Sequence, residues 1–254
     1  MSVPATATMK RYPLISCIMP TRDRASFVAQ AIRYFQRQDY PNRELIVVDD
    51  GGDHTPAPAD QRIRYLRPSR PLSIGAKRNL ACRAARGEII AQWDDDDWYA
   101  AERLSAQAAP LLRGRADLSA LRAKVFFDLD RWEFWTCTAA FHRRIFVHDV
   151  QGGTLMFRRS VWKRQALYPD TSLAEDADLL SRAVRGGARL ARIDDEGLYI
   201  YVRHSANTWT FRCGNYLDPH AWRRVAEPPL PPADRAFYAR CSRLRPPHEP
   251  ELAR

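Results

Sequence analysis

Glu88-Ile-Ile-Ala-Gln-Trp93, followed by four consecutive aspartates (Asp94 to Asp97) and closed by Trp98-Tyr99, is the stretch on which the fold turns. The apolar run reads as a buried strand, and the acidic run falls where that strand ends. Like charges set side by side repel, by about 1 kcal/mol per pair near ~4 Å in water and roughly 4 in a less polar surface environment. A cation removes that cost. Oxygen-rich sites of this kind suit Mg²⁺ or Mn²⁺, which bridge a few carboxylates to the phosphate oxygens of a substrate. An isolated acidic run would read as a solvated loop. This one ends a strand, and strand C-termini are where open α/β sheets bind ligands, which favours the metal.

Outward from that stretch, strands and helices alternate. Leu14 to Met19 is a short apolar run ended by Pro20, and Glu44 to Val48 is a second, ending in Asp49-Asp50-Gly51-Gly52. Between them Ser26 could cap a helix that places Phe27, Val28, Ala31, Ile32 and Phe35 on one face. A proline-rich loop spans Asp53 to Asp60, Ile63 to Leu66 makes a weak third strand, and Ile74 to Ala85 is helical by pattern. The alternation predicts a doubly wound, mostly parallel α/β sheet. In the second half, helices are expected over Ala100 to Leu112, Ser160 to Gln165 and Asp176 to Val184. Strands are expected over Leu118 to Phe127, Gly153 to Phe157, Leu190 to Ile193 and Leu198 to Val202. From Asp218 prolines recur, predicting an extended tail that wraps the domain or is partly disordered.

Composition narrows the classes. A chain of 254 residues suffices for one sizeable α/β domain, and no stretch approaches the roughly 20 apolar residues of a membrane span. Met1 to Lys10 lack the apolar core of a secretion signal, so the chain is expected in the cytoplasm. Five scattered cysteines suggest neither a disulfide framework nor a structural zinc site. The net charge of +10 comes almost wholly from arginines spread along the chain. That spread argues against a specific nucleic-acid partner and is compatible with diphosphate substrates or peripheral attachment at the inner membrane face.

Three apolar strands thus end in polar clusters: Pro20-Thr21-Arg22-Asp23, Asp49-Asp50-Gly51 and Asp94 to Asp97. In a parallel sheet these converge on one edge. Carboxylates can accept hydrogen bonds from ribose hydroxyls or base N–H groups while a metal clamps a diphosphate. Lys77 and Arg78, in Gly75-Ala-Lys-Arg-Asn79, add cations near a helix start. Singly, each cluster could be a turn or a solvated helix face; together they predict a nucleotide-diphosphate site.

Ile18 to Thr21, Val47 to Gly51, Gly75 to Asn79 and Trp93 to Trp98, taken in order, resemble the signatures of family 2 glycosyltransferases with the GT-A fold. Gly152 to Arg159 with Val161-Trp162, and Glu175-Asp176, resemble the segment after the acceptor region and the acidic catalytic motif. The resemblance runs from about residue 12 to 210. It implies a GT-A domain over 10–215, with a nucleotide-binding half (10–99), an acceptor and catalytic half (100–215) and a Pro-rich extension (216–254), the acceptor-side sheet being small and mixed.

It further implies a non-processive, inverting hexosyl transfer from a nucleotide-diphosphate sugar, a UDP-sugar being favoured, to a hydroxyl of a glycan, lipid-linked or small-molecule acceptor. Pro20, Thr21, Arg22, Asp49, Asp50, Lys77, Arg78, Asp94 and Asp95 would hold the donor. Asp96, Asp97 and His204 would hold Mn²⁺ or Mg²⁺, and Asp176 would be the general base with Glu175 beside it. By residue pattern alone Glu175-Asp176 could equally be first-turn acids of a helix, and His204 a structural side chain. The aromatic stretch Trp132 to Phe141 fits sugar stacking or core packing equally. Two other functions fit the fold: a sugar nucleotidyltransferase, disfavoured because Pro20 to Arg24 contains no glycine, and a non-catalytic nucleotide-binding module.

Overall fold

Four apolar runs form strands, β1 (Ile15–Thr21), β2 (Arg43–Asp49), β3 (Ile63–Leu66) and β4 (Ile89–Gln92), of which all but the edge strand β3 are buried on both faces. They alternate with α1 (Ala25–Gln36) and α2 (Ile74–Ala84) in a computed structural model that describes residues 12–53, 58–165 and 167–242. β1 lies parallel to β2 and β4, and β2 parallel to β3. The two-residue side-chain period divides each strand between two cores. Ile15, Cys17, Met19, Leu45, Val47, Ile89 and Ala91 face Val28, Ala31, Ile32 and Phe35 of α1. Ile18, Ile46, Val48 and Ile90 face Ala81 and Cys82 of α2. The expected doubly wound sheet is therefore present.

The sheet continues beyond β4 with one reversal. β9 (Met156–Arg158) runs antiparallel between β4 and β6 (Leu118–Arg122), and β10 (Leu190–Asp194) closes the edge parallel to β6. Its strand order is β10-β6-β9-β4-β1-β2-β3. A second, mixed sheet has the order β12-β8-β7-β11-β5, from β5 (Trp98–Tyr99), β7 (Phe126–Asp128), β8 (Glu133–Cys137), β11 (Tyr199–Arg203) and β12 (Trp222–Val225). Strand β5 begins right after the aspartates, so the acidic run is the joint between the two sheets.

Several boundaries differ from expectation. Leu118 to Phe127 is two strands, β6 and β7, which serve different sheets. Between them the Lys124 N–H donates to the buried Asp195 carboxylate. Residues Gly152–Thr154 form a 3-10 turn and β9 starts only at Met156. Ser26 does not cap α1; Arg24 holds that position and its side chain makes no cap. Helix α3 (Arg103–Leu112) begins three residues later than expected, while α4 (Ala139–Ile145), α5 (Arg159–Gln165) and α6 (Glu175–Arg185) complete the helices up to β10.

The proline-rich segment is described as far as Ser242 and folds there into regular elements. It supplies β12, antiparallel to β8, and α7 (Pro232–Cys241), which Pro232 opens at a position where its missing N–H costs nothing. Asp234 of α7 is buried and accepts hydrogen bonds from Gln30, Arg37 and Trp98, pinning the chain end against α1 and β5. Trp132 and Phe134 pack in the core around Phe127, with the Phe127 and Phe134 rings stacked at 4.3 Å. Met1 to Lys10, residues 54–57 and the prolines at 246 and 247 lie outside the described residues. Among the described residues no helix is long and apolar enough to cross a membrane.

Candidate active site

The C-terminal ends of β1 and β2 and the aspartates after β4 meet at one sheet edge, as parallel pairing dictates. Thr21, paired with Asp49 in register, sends its hydroxyl to Asp95 Oδ2 at 2.6 Å. Lys77, from α2, reaches across to the Thr21 carbonyl at 2.8 Å and to the Asp50 carboxylate. Asp50 also accepts the Leu72 N–H at 2.6 Å. Lys77 and Asp50 thus neutralise each other as a buried ion pair, with side-chain exposures of 5% and 0%. Asp49 is buried and caps its own turn by accepting the Gly51 N–H. Arg22 is exposed and leans on Asp23, away from the carboxylates.

The aspartates of the acidic run take different sets of partners, with Arg24 shared by Asp95 and Asp96. Asp94 accepts from Arg78 Nη2 at 2.8 Å, and Arg78 Nε donates to Glu175 at 3.1 Å, so one guanidinium ties the run to the start of α6. Asp95 is held by Thr21 and by Arg24 Nη1 at 3.0 Å. Asp96 Oδ2 accepts from Arg24 Nη1 at 2.8 Å and Asn207 Nδ2 at 3.0 Å, and meets His204 Nε2 at 3.1 Å. The His204 ring stacks on Phe27 at 5.0 Å.

Asp97 turns the other way. It accepts the Tyr199 hydroxyl at 2.5 Å and the Val202 N–H at 2.9 Å, so it fastens the run to β11 and does not line the cavity described below. Its expected place beside Asp96 as a metal ligand is therefore not what the geometry presents.

A cavity of about 390 Å³ opens against this edge, lined on its acidic side by Asp94, Asp95, Asp96, Glu175 and Asp176, and by Arg24 and Arg78. Its lining also includes the apolar side chains of Ile145, Phe146, Val147, Leu173 and Trp209. Gly152 and Gly153 form the floor, where side chains are excluded by contact. A Cβ on Gly152 would lie 2.0 Å from Asp176 Oδ2, and one on Gly153 2.5 Å from Asp94 Oδ2. Arg78 is buried, and among the described residues its Nη1 has no hydrogen-bond partner. Pro20 also lines this cavity, whereas Thr21, Arg22, Asp49, Asp50 and Lys77 do not; His204 lines a neighbouring polar cavity together with Arg203.

Burial and charge set the protonation of the carboxylates. Asp176 is raised to about 6, first by burial and then by the adjacent Glu175, with Arg78 opposing. Burial raises Asp94 and Asp95 as well, against the pull of Arg78 and Arg24 respectively. At Asp96 burial works the same way but loses to the His204 hydrogen bond and Arg24, which hold it down at about 2. Burial, followed by repulsion from Asp96 and Asp94, raises Asp97 well above the usual carboxylate range. The cleft thus holds one carboxyl, Asp176, raised toward neutrality and another, Asp96, held in its ionised form.

Arg24, Asn207 and the two glycines were not among the expected site residues. Arg24 follows the quoted Pro20 to Asp23 cluster by one position. Asn207 lies three residues beyond His204 in a loop without pattern, where nothing in the sequence marks it.

Fold and site together define a GT-A protein whose acidic sheet edge faces a cleft. Residues 16–164 match the family described as glycosyl transferase family 2, and the chain belongs to that family. It is 40% identical over 104 residues to the putative colanic acid biosynthesis glycosyl transferase WcaA of Escherichia coli K12, covering 38% of this chain and 37% of that protein. It is 26% identical over 223 residues to the uncharacterized glycosyltransferase EpsJ of Bacillus subtilis, covering 78% and 63%. The chain thus spans well under half of the first relative and less than two thirds of the second. In fold it is similar to a Pyrobaculum calidifontis mannosyltransferase solved with GDP-Man and Mn²⁺ (TM-score 0.61, 20% identity, covering 76% of this chain and 57% of that one). It is also similar to S. aureus TarS solved with UDP-GlcNAc (TM-score 0.57, 18% identity, covering 76% and 59%).

Proposed function

We propose that this chain transfers a sugar from a nucleotide-diphosphate donor to an acceptor hydroxyl by direct displacement, with Asp176 as the base. The observation that carries the proposal is one cavity shared by Asp176, Arg78 and the aspartates Asp94 to Asp96. Family membership and the nucleotide sugars held by the two solved neighbours support it.

The residues present fit a divalent ion such as Mn²⁺ or Mg²⁺. Asp96 offers a carboxylate oxygen 3.1 Å from the His204 ring nitrogen, with Asp95 and Asp94 alongside. Among the described residues no group of three or more His, Cys, Asp or Glu side chains forms a ready cage. Such ions commonly take one or two carboxylates and complete their shell with water and substrate phosphates. Once bound, the ion would stabilise charge developing on the departing diphosphate.

The chain's own residues do the rest. Arg78 lines the cavity beside the ion-holding carboxylates, where its guanidinium charge would stabilise the leaving group. Asp176 accepts the proton of the acceptor hydroxyl as its oxygen attacks the anomeric carbon. Attack opposite the departing group inverts the anomeric configuration. Phe146 and Trp209 in the lining would offer apolar ring surface to an acceptor sugar. Asp176→Asn should leave nucleotide-sugar binding intact and abolish transfer, whereas Asp96→Asn should weaken Mn²⁺-dependent nucleotide binding. Equal loss of binding in both variants would make Asp176 a structural residue and remove the base from this scheme.

A further inference from the structure

Arg24 occupies a position that helix chemistry does not favour. It sits at the N-cap of α1, where Ser, Thr, Asp and Asn are preferred and where the helix dipole disfavours a cation. Its guanidinium makes no cap. It extends over the acidic run, where a single nitrogen, Nη1, lies 3.0 Å from Asp95 Oδ1 and 2.8 Å from Asp96 Oδ2. The other terminal nitrogen donates to the Ala206 carbonyl, and Asn207 of the same loop donates to the same Asp96 oxygen. Arg24 therefore bridges two carboxylates and fastens the 204–207 loop onto them. Its side chain is only 22% exposed.

A cation bridging Asp95 and Asp96, next to the His204 ring, has the electrostatic role that the reading above gives to a divalent ion. We propose that Arg24 is an internal counter-cation that competes with that ion, so that metal is captured only together with the diphosphate of the donor. This rests on the metal-dependent reading of the site. With no donor present, the guanidinium satisfies the two carboxylates and an incoming ion must displace it. A bound diphosphate gives the displaced guanidinium a new anionic partner and gives the ion further oxygen ligands. Ion and donor then bind cooperatively, and by linkage each tightens the other by the same factor. Keeping the free site closed to metal would also restrict chemistry to the ternary complex.

The test is Mn²⁺ binding to the whole chain at pH 8, read from the free-ion EPR signal with and without UDP or GDP, which requires no acceptor and no turnover. The wild type should bind Mn²⁺ weakly alone and on the order of tenfold or more tightly with the nucleotide. Removing one positive charge this close to the ligands should raise nucleotide-free affinity in Arg24→Gln by about tenfold or more and shrink the gain from nucleotide. Arg24→Lys, which keeps the charge, should stay nearer the wild type. Arg24→Met retains most of the aliphatic stem and repeats the measurement if the glutamine variant does not fold. Nucleotide-free affinity that is unchanged or weaker in a folded Arg24 variant overturns the proposal while leaving the metal-dependent reading intact. Failure of the wild type to bind Mn²⁺ even with nucleotide brings down that reading and this proposal together.

Discussion

Gly152→Ala is the smallest change that should separate the proposed base from the rest of the site. The added Cβ would fall 2.0 Å from Asp176 Oδ2 and 2.4 Å from its Cγ, against the 3.4 Å or more of an ordinary contact. Either the carboxylate retreats by about 1 Å or more, or the Gly152–Thr154 turn shifts under it. Misplacement of a reacting group by about 1 Å can cost on the order of 10²-fold in rate. That corresponds to roughly 2.7 kcal/mol of transition-state stabilisation. The donor side is anchored elsewhere, through Arg78 to Asp94 and Arg24 to Asp95 and Asp96, and should not move. The expected signature is therefore a kcat reduced about a hundredfold for release of nucleoside diphosphate to an acceptor or to water, with donor affinity by calorimetry within about twofold. Gly153→Ala, whose Cβ would meet Asp94 at 2.5 Å, should instead weaken donor binding. A kcat within threefold of wild type in folded Gly152→Ala would refute the reasoning, because it would show that Asp176 can yield that space without consequence.

Four other outcomes follow from contacts described above. Asp176 ionises at about 6 while facing Glu175 on its own helix, Arg78 from α2 and Asp94 from the acidic run, so kcat should fall with pH below about 6, roughly tenfold per unit; a flat profile between pH 5 and 7 would exclude it as the base. Its folded-state pKa is raised, so its ionisation costs stability once pH exceeds the unfolded value. Asp176→Asn should thus gain roughly 1–3 kcal/mol at pH 8, discounted for partial exposure, with no gain near pH 3, where both states are protonated. Lys77→Met should lose about 3–5 kcal/mol in chemical denaturation by stranding the buried Asp50, and Lys77→Met with Asp50→Leu should recover much of that loss, whereas strict additivity would mean that the pair is not coupled. Asp234→Ala should cost about 2–4 kcal/mol, since Gln30, Arg37 and Trp98 would each lose a buried partner; an unchanged melting temperature would show that α7 is not held there.

Convergence of the three strand-end clusters was legible because it depends only on chain direction. Apolar runs separated by helical patterns must pair in parallel, and parallel pairing brings Thr21, Asp49 and the residues after Gln92 to one edge. What each aspartate does at that edge was not legible. The four carry the same charge and size, and the chain there lies in neither regular strand nor helix, so no period assigns their directions. Asp97 turns toward Tyr199 and Val202 because β5 pairs antiparallel with β11, a contact 100 residues away that local pattern does not encode. The proline-rich segment misled for a related reason. Proline argues against helix interiors but is tolerated at a first turn, so a run of prolines ending at Pro232 can equally announce α7.

Arg24 marks the deepest limit of a reading by residue type. In sequence it is one arginine among many, in a loop between a strand and a helix, and the default for such a residue is a solvated charge. Its significance comes from two carboxylates that lie 71 and 72 positions away. Each of them is an unfavourable neighbour for the other until a cation arrives. Four adjacent aspartates therefore pose an electrostatic problem that the fold must solve before any ligand binds, and this fold solves it with internal donors: Arg78 for Asp94, Arg24 for Asp95 and Asp96, and Tyr199 for Asp97. The first two line the cleft, while the third is sealed in the core. That difference in access, rather than the acidic composition of the run, separates the carboxylates that face the cleft from the one that ties the run to β11.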